Sequence, residues 1–468
     1  MNETSRNWLE RGLPFERQRR SNIQPRVGAC AYPGLEAIAP STLKGLQRRF
    51  AQDRYNPFRI GFLPFPPRVA PAAQPWADGS ERRWRSRKPA KKQLAFLAIT
   101  SLLSGLLWGA EVQPALKDVF RQDFLLGAAL NAEQVLDTNR VESVLIEKHF
   151  NTITPENVLK WERVHPQPNQ YSFEDADRYV EFGRKHGMVI IGHTLVWHSQ
   201  TPGWVFRDAD GKTLTREALL ERMRDHIHTV VGRYKGKIRG WDVVNEALRD
   251  DGAWRNSQWR RIIGDDYILK AFQYAHEADP DAELYYNDYS LEKPAKRNGA
   301  VDLVKQLQAG GAKLAGVGLQ GHYNLDWPET AEIENTIAAF AELGLKVMIT
   351  ELDVNALPTP GQSGEADVGM TFGGNFGGDK WNPFTNGLPA AVEQRLADRY
   401  AEIFRIFTKH SRRISRVTFW GVTDRTSWLN NFPIRGRTNY PLLFDRAGEP
   451  KPAFRSVVAV RQPRQPVE

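Results

Sequence analysis

From about residue 120 onward, apolar runs of strand length alternate with amphipathic stretches of helical period, and the alternation repeats eight times. The runs fall at 124–130, 150–155, 189–197, 238–245, 283–288, 316–323, 346–352 and 416–422. Several are near-continuously apolar or rich in Val and Ile, as parallel strands buried on both faces are. The stretches between them carry apolar residues at helical spacing: Tyr179, Val180, Phe182 and Gly183 in 174–186; Leu219, Leu220, Met223, Ile227 and Val230 in 216–231; Leu396, Tyr400, Ile403, Phe404 and Phe407 in 394–408. Eight such units predict an α/β chain closed into a single (β/α)8 TIM barrel. The alternative is an open doubly wound sheet, but no G-x-G-x-x-G follows the first strand, so its dinucleotide-binding form has no support. P-loop, paired C-x-x-C and H-E-x-x-H motifs are also missing.

The chain before the barrel reads differently. Residues 1–110 hold 19 of the 64 Lys and Arg and 7 of the 55 Asp and Glu, a charge of +12. The remaining 45 basic and 48 acidic residues sum to −3, so the overall +9 belongs to this leader. A nucleic-acid partner is therefore not expected. Residues 1–92 mix Arg, Pro, Gln and Ser without sustained period, and are expected to be either an unfolded leader or sequence upstream of the true start. Within 82–92 stands a cluster of seven basic residues, from Arg82 to Lys92, and the apolar run 94–108 follows. Together, 93–110 resembles a secretory signal peptide and implies a secreted or periplasmic protein. Two features disturb that reading: the run lies ninety residues from Met1, and Trp108 sits where a small residue is preferred. Initiation near Lys91 would explain the first. A signal anchor and a short buried helix are the alternatives, since the run is shorter than the ~20 residues of a membrane span. The single cysteine, Cys30, lies in the leader, so the barrel can hold no disulfide and must rely on core size.

Polar residues cluster where the apolar runs end. The second leads into Glu156, Asn157 and Lys160; the third carries His193 and ends at Trp197, with Gln200 beyond it. The fourth ends in Asn245-Glu246 and the fifth in Asn287-Asp288-Tyr289. The sixth carries Gln320 and His322, the seventh ends in Glu351-Leu352-Asp353, and the eighth leads through Trp420 to Trp428. In a barrel these ends share one rim. A lone strand-end Glu is more often an N-cap or an ion pair. Two on one rim, each beside an amide or imidazole, fit a pair of working carboxyls, because buried polar groups are costly to gather without purpose. Glycoside hydrolysis needs such a pair: one carboxyl protonates the leaving oxygen, and an ionised one attacks the anomeric carbon. A retaining enzyme holds them ~5–5.5 Å apart. Fourteen Trp suit a cleft that packs indoles on sugar rings, although core packing explains many of them equally well.

The motifs Trp241-Asp242-Val243-Val244-Asn245-Glu246, Ile349-Thr350-Glu351-Leu352-Asp353, Gly192-His193-Thr194-Leu195-Val196-Trp197-His198 and Thr423-Asp424-Arg425-Thr426-Ser427-Trp428, in their order along the chain, resemble glycoside hydrolase family 10, the endo-β-1,4-xylanases. The resemblance runs from about residue 120 to about 460, within an expected catalytic domain of 118–462. It implies Glu246 as general acid/base and Glu351 as nucleophile. It further implies Asn245 as the amide that holds the 2-hydroxyl of the cleaved sugar, and His322 and Asp353 as the pair that orients the nucleophile. Lys160, His193, Trp197 and Gln320 match residues lining the cleavage subsite, and Glu156, Asn157 and Gln200 the next subsite toward the non-reducing end. Trp420 and Trp428 resemble the indoles that cover these sugars, with Trp428 the candidate filter against the extra CH2OH of glucose. Tyr289 is expected either on the leaving-group side or packed on the fifth strand.

The function implied is endo-1,4-β-xylanase, acting on xylan with retention, as a monomer and with no metal or other cofactor. A retaining β-glucanase and a non-catalytic glycan-binding protein are the rivals. The chain departs from the family pattern in its leader and in a Gly-, Pro- and Asn-rich loop, 355–387, whose length suggests a functional or mobile segment.

Overall fold

The computed structural model describes residues 113–136, 140–359 and 378–462. The leader 1–92, the signal-like segment 93–110 and the middle of the 355–387 loop lie outside them. All strands are parallel: β1 Leu125–Leu130, β2 Thr152–Pro155, β3 Val189–Trp197, β4 Gly240–Asn245, β5 Glu283–Asp288, β6 Gly316–Leu319, β7 His322–Asn324, β8 Lys346–Asn355 and β9 Ile414–Phe419. β1 pairs with both β2 and β9, and β6 pairs with β8, so the sheet closes into the expected barrel.

Among the described residues, eight helices of eight or more residues follow the strands: α1 Arg140–His149, α2 Glu174–Lys185, α3 Arg216–Arg233, α4 Tyr267–Ala278, α5 Pro294–Ala309, α6 Thr330–Glu342, α7 Ala390–Lys409 and α8 Pro452–Ala459. Their apolar stripes face the strands. In α7, Leu396, Tyr400, Ile403, Phe404 and Phe407 are fully buried. Burying each such side chain stabilises the fold by about 1.5–3 kcal/mol. Among the described residues no helix is long and apolar enough to cross a membrane.

Among the described residues nine strands appear where eight were expected, because the run 316–323 is broken. Gly321 takes a left-handed φ of 80°, which interrupts the ladder between Leu319 and His322. Gln320 still donates its backbone N–H to Asp288 and accepts one from Glu351. The chain then re-enters as β7, with His322 opposite Asp353 of β8. β8 runs three residues past the expected end, to Asn355.

The barrel interior carries charge. Asp242, His193 and Arg416 are all buried there, with Arg416 stacked over Tyr285. His193 Nδ1 lies 3.0 Å from Asp242 Oδ2, and Arg416 3.8 Å from Oδ1.

Candidate active site

Strand register assembles the site. His193 is the cross-strand partner of Asp242, Trp197 of Asn245, Asn245 of Asn287, and His322 of Asp353. Each pair projects from neighbouring strands at the same height, toward the C-terminal ends of the barrel strands.

The two glutamates are joined by a chain of amides. Gln320 Nε2 donates to Glu246 Oε1 at 2.9 Å and to Asn245 Oδ1 at 3.4 Å. Asn287 Nδ2 donates to the same Asn245 oxygen and to Glu351 Oε1, both at 2.9 Å. Asn287 Oδ1 in turn accepts from Thr350 Oγ1 at 2.6 Å. With its oxygen committed to this chain, Asn245 turns its NH2 away from it.

The glutamates differ in their remaining partners. Glu246 Oε2 accepts from Trp197 Nε1 at 2.9 Å, so both its oxygens meet neutral donors. Glu351 Oε2 lies 3.0 Å from His322 Nε2, whose Nδ1 lies 3.0 Å from Asp353 Oδ1. Burial opposes a charge on His322, but Asp353 first and then Glu351 outweigh it and raise its pKa to about 10. The ring is therefore an imidazolium at neutral pH and donates on both sides. Burial pushes the Glu351 carboxyl up. The His322 bond and charge, helped by His193 and Asn287, more than reverse this and hold it below the ordinary carboxylate range.

A second polar group adjoins the first. Lys160 Nζ donates to Gln200 Oε1 at 2.7 Å and Asn157 Oδ1 at 3.2 Å, and lies 5.0 Å from the Trp197 ring. Burial lowers the Lys160 pKa, against the carboxylates of Glu156, Glu351, Glu246 and Glu162 around it. Glu156 is pushed up by burial, against Lys160 and Asn157. Above the pair of glutamates, Trp420 meets His193 and His322 edge-on, and Trp428 leans against His322 at 4.8 Å. Trp428 Nε1 donates to Asp353 Oδ2 at 2.7 Å, and its other side stacks on Phe432.

The indoles of Trp420 and Trp428 thus lie against a buried polar network that holds two carboxyls in unlike surroundings. Residues 115–460 match the family described as Glycosyl hydrolase family 10. The chain belongs to that family. Endo-1,4-beta-xylanase A of Xylanibacter ruminicola is 47% identical to it over 349 residues, 75% of this chain and 94% of the relative. A beta-1,4-xylanase of Dictyoglomus thermophilum is 44% identical over 352 residues, 75% of this chain and 92% of the relative. Among solved structures, a GH10 endoxylanase retrieved from a sugarcane soil metagenome aligns with TM-score 0.70 and 46% identity, covering 75% of this chain and all of that one.

Within this family 10 barrel, the residues singled out from sequence come together, with one exception. Tyr289 is 9% exposed, its hydroxyl accepts from Arg255 Nη2 at 3.0 Å, and Lys296 Nζ lies 3.2 Å from its ring centre. Its hydroxyl is linked to the Glu246 backbone through Arg255. Sequence reasoning assigned no role to Asn287, Asp242, Glu162, Phe432 or Arg255. The first two end or line apolar runs, and aligning neighbouring strands would have paired them with Asn245 and His193. Glu162, whose Oε1 accepts from Gln200, sits in the single helical turn Trp161–Val164, and Phe432 and Arg255 sit in loops; none of these segments is long enough for periodicity to mark them. Among the described residues no group of three or more His, Cys, Asp or Glu is arranged to hold a metal ion.

Proposed function

We propose that the protein is an endo-1,4-β-xylanase that cleaves internal bonds of xylan with retention, Glu246 acting as acid/base and Glu351 as nucleophile. The observation that carries this reading is the contrast between the two carboxyls: Glu351 against a charged imidazole, Glu246 between two neutral N–H donors. In the first step a Glu351 oxygen bonds to the anomeric carbon while Glu246 gives its proton to the departing glycosidic oxygen. In the second, Glu246 takes a proton from water, which displaces Glu351 and restores the β configuration. The free NH2 of Asn245 would meet the sugar 2-hydroxyl. Lys160, His193, Trp197 and Gln320 would line the cleaved sugar; Glu156, Asn157 and Gln200 would hold its neighbour, with Trp420 and Trp428 covering both.

Several further assignments belong to this reading. The names of the relatives favour xylan over glucan, and Trp428, held by Asp353 and Phe432, would be the filter. The catalytic unit spans 118–462. The protein works outside the cytoplasm, on the strength of the signal-like 93–110, and acts as a monomer.

The two glutamates are expected to fail differently. Glu246→Ala should still glycosylate on an aryl xylobioside with a low-pKa leaving group but hardly act on xylan. Azide should rescue its turnover and give a β-glycosyl azide. Glu351→Ala should be impaired on every substrate, and azide should give the α-product. An exchange of these outcomes would reverse the assignment, and near-normal xylan hydrolysis by both variants would end it. Trapping with a fluorinated xylobioside labels Glu351 only in an active enzyme, which excludes or supports the glycan-binding rival. Equal rates on xylan and carboxymethyl-cellulose would favour a glucanase.

A further inference from the structure

Glu246 has a left-handed backbone, with φ 56°. For a non-glycine residue that conformation is strained and persists only where the surroundings enforce it. Its N–H is held by Asn287 O at 2.9 Å. Its carbonyl is held from the loop that follows. That loop doubles back: Leu248 bridges Trp254 in antiparallel fashion, and Arg255 N–H donates to Ala247 O at 2.7 Å. Residue 255 therefore returns to the residue eight positions before it. Arg255 Nε donates to Glu246 O at 3.0 Å, and Nη2 donates to Leu248 O at 3.2 Å and to Tyr289 Oη at 3.0 Å.

Arg255 is only 8% exposed, yet none of these three acceptors is a carboxylate. A buried guanidinium is expensive unless negative charge stands near it. Here the carboxylates of Glu246 and Asp288 supply that charge, while the neutral Tyr289 hydroxyl only accepts a hydrogen bond. The loop itself is clasped to α5. A Cβ on Gly252 would meet Ala295 O at 2.3 Å, and one on Gly299 would meet Gly252 O at 2.2 Å. Only glycine allows so close an approach. The clasp, the hairpin and the guanidinium form one path from α5 to the backbone of Glu246.

We propose that Arg255 is a positioning residue that locks the left-handed backbone of Glu246, and so aims its carboxyl at the leaving-group oxygen. The proposal rests on the reading of Glu246 as acid/base. Without the Arg255 bond the Glu246 peptide relaxes toward ordinary strand geometry and its carboxyl swings off Trp197 and Gln320. Proton transfer suffers, whereas attack by Glu351 does not.

The test uses the full chain with Arg255→Met, Arg255→Lys, Gly299→Ala and Glu246→Ala. Each is assayed on xylan and on aryl β-xylobiosides of graded leaving-group pKa, with thermal unfolding measured alongside. Arg255→Met should lose about 100-fold in kcat/KM on xylan. On the dinitrophenyl substrate, which needs little protonation, it should lose less than about fivefold. Arg255→Lys, which can reach fewer acceptors, should fall between. Gly299→Ala, which displaces the loop, should follow the same leaving-group trend. A uniform loss across the series, or a loss confined to KM, would overturn the proposal while leaving Glu246 in its role. If Glu246→Ala itself shows no leaving-group dependence, the acid/base reading fails and takes the proposal with it. Should Arg255→Met not fold, the trends of Arg255→Lys and Gly299→Ala decide.

Discussion

Glu351 keeps its charge because a proton is held next to it. Its carboxyl is 5% exposed and would be driven toward the neutral form by burial alone. His322 prevents this, and His322 is charged chiefly because Asp353 faces its other nitrogen at 3.0 Å. The carboxylate of Asp353 thus acts on Glu351 at one remove. Asp353→Asn removes that charge, so the His322 pKa should fall from about 10 and the Glu351 pKa should rise. If Glu351 is the nucleophile as proposed, the acidic limb of the kcat/KM profile reports its ionisation and should then move to higher pH. The profile on an aryl xylobioside measures this directly, and an unmoved limb would show that Asp353 serves only to anchor Trp428. Asn287 works by the same logic without charge: one amide, fully buried, ties Asn245 to Glu351 and is tied in turn to Thr350.

At the scale of elements, what matters is how the loops above the rim are fastened. The segment after β9 carries Trp428 and is pinned by a buried ion pair. Lys451, at the start of α8, donates from Nζ to Asp424 Oδ2 at 2.8 Å, Tyr440 O at 2.7 Å and Leu442 O at 2.8 Å. Asp424 Oδ1 accepts from Leu442 N at 2.8 Å. Both side chains are almost wholly buried. Lys451→Met leaves Asp424 without its cation and should cost about 3–5 kcal/mol, because one partner of a buried pair is then uncompensated. Adding Asp424→Asn should recover part of that loss. Denaturant unfolding of the single and double variants checks this, and additive losses would mean that the pair is not coupled. The described stem of the 355–387 loop is bound to the same segment. Arg437 donates to Pro358 O at 2.9 Å, Asn439 to Asn355 Oδ1 at 2.8 Å and Tyr440 to Phe384 O at 2.5 Å. The long loop and the roof of the cleft are therefore one mechanical unit on the described side.

Across the whole molecule, three buried histidines set the tolerance to acid. His149 and His165 are held neutral by burial, which lowers both pKa values from 6.5 to about 4, and burial also holds His226, stacked on Trp161, well below its ordinary value. A histidine whose folded pKa is depressed contributes full stability above its unfolded pKa, near 6.5, and that contribution is lost as pH falls toward the folded value. At pH 5, His149 and His165 should each weaken the fold by on the order of 2 kcal/mol. The melting temperature should therefore drop between pH 7 and pH 5. His165→Phe should flatten that dependence; an unchanged slope would exclude His165 as a cause.

The period of the apolar runs is a property of neighbouring residues, so eight βα units, a closed parallel barrel and a polar rim were legible in the chain itself. So was the placement of Glu246 and Glu351 on one rim, because in a barrel each residue that ends a strand faces the same mouth. Register and aim are not local. The break at Gly321, which the run 316–323 conceals, depends on β8 continuing past it to pair with His322. Asn287 becomes a bridge only when β4 and β8 bring Asn245 and Glu351 to either side of it, forty-two and sixty-four positions away. Arg255 reaches Glu246 because a hairpin folds back and two glycines let it rest on α5. These contacts join segments distant in sequence, and only the closed barrel sets the distances between them.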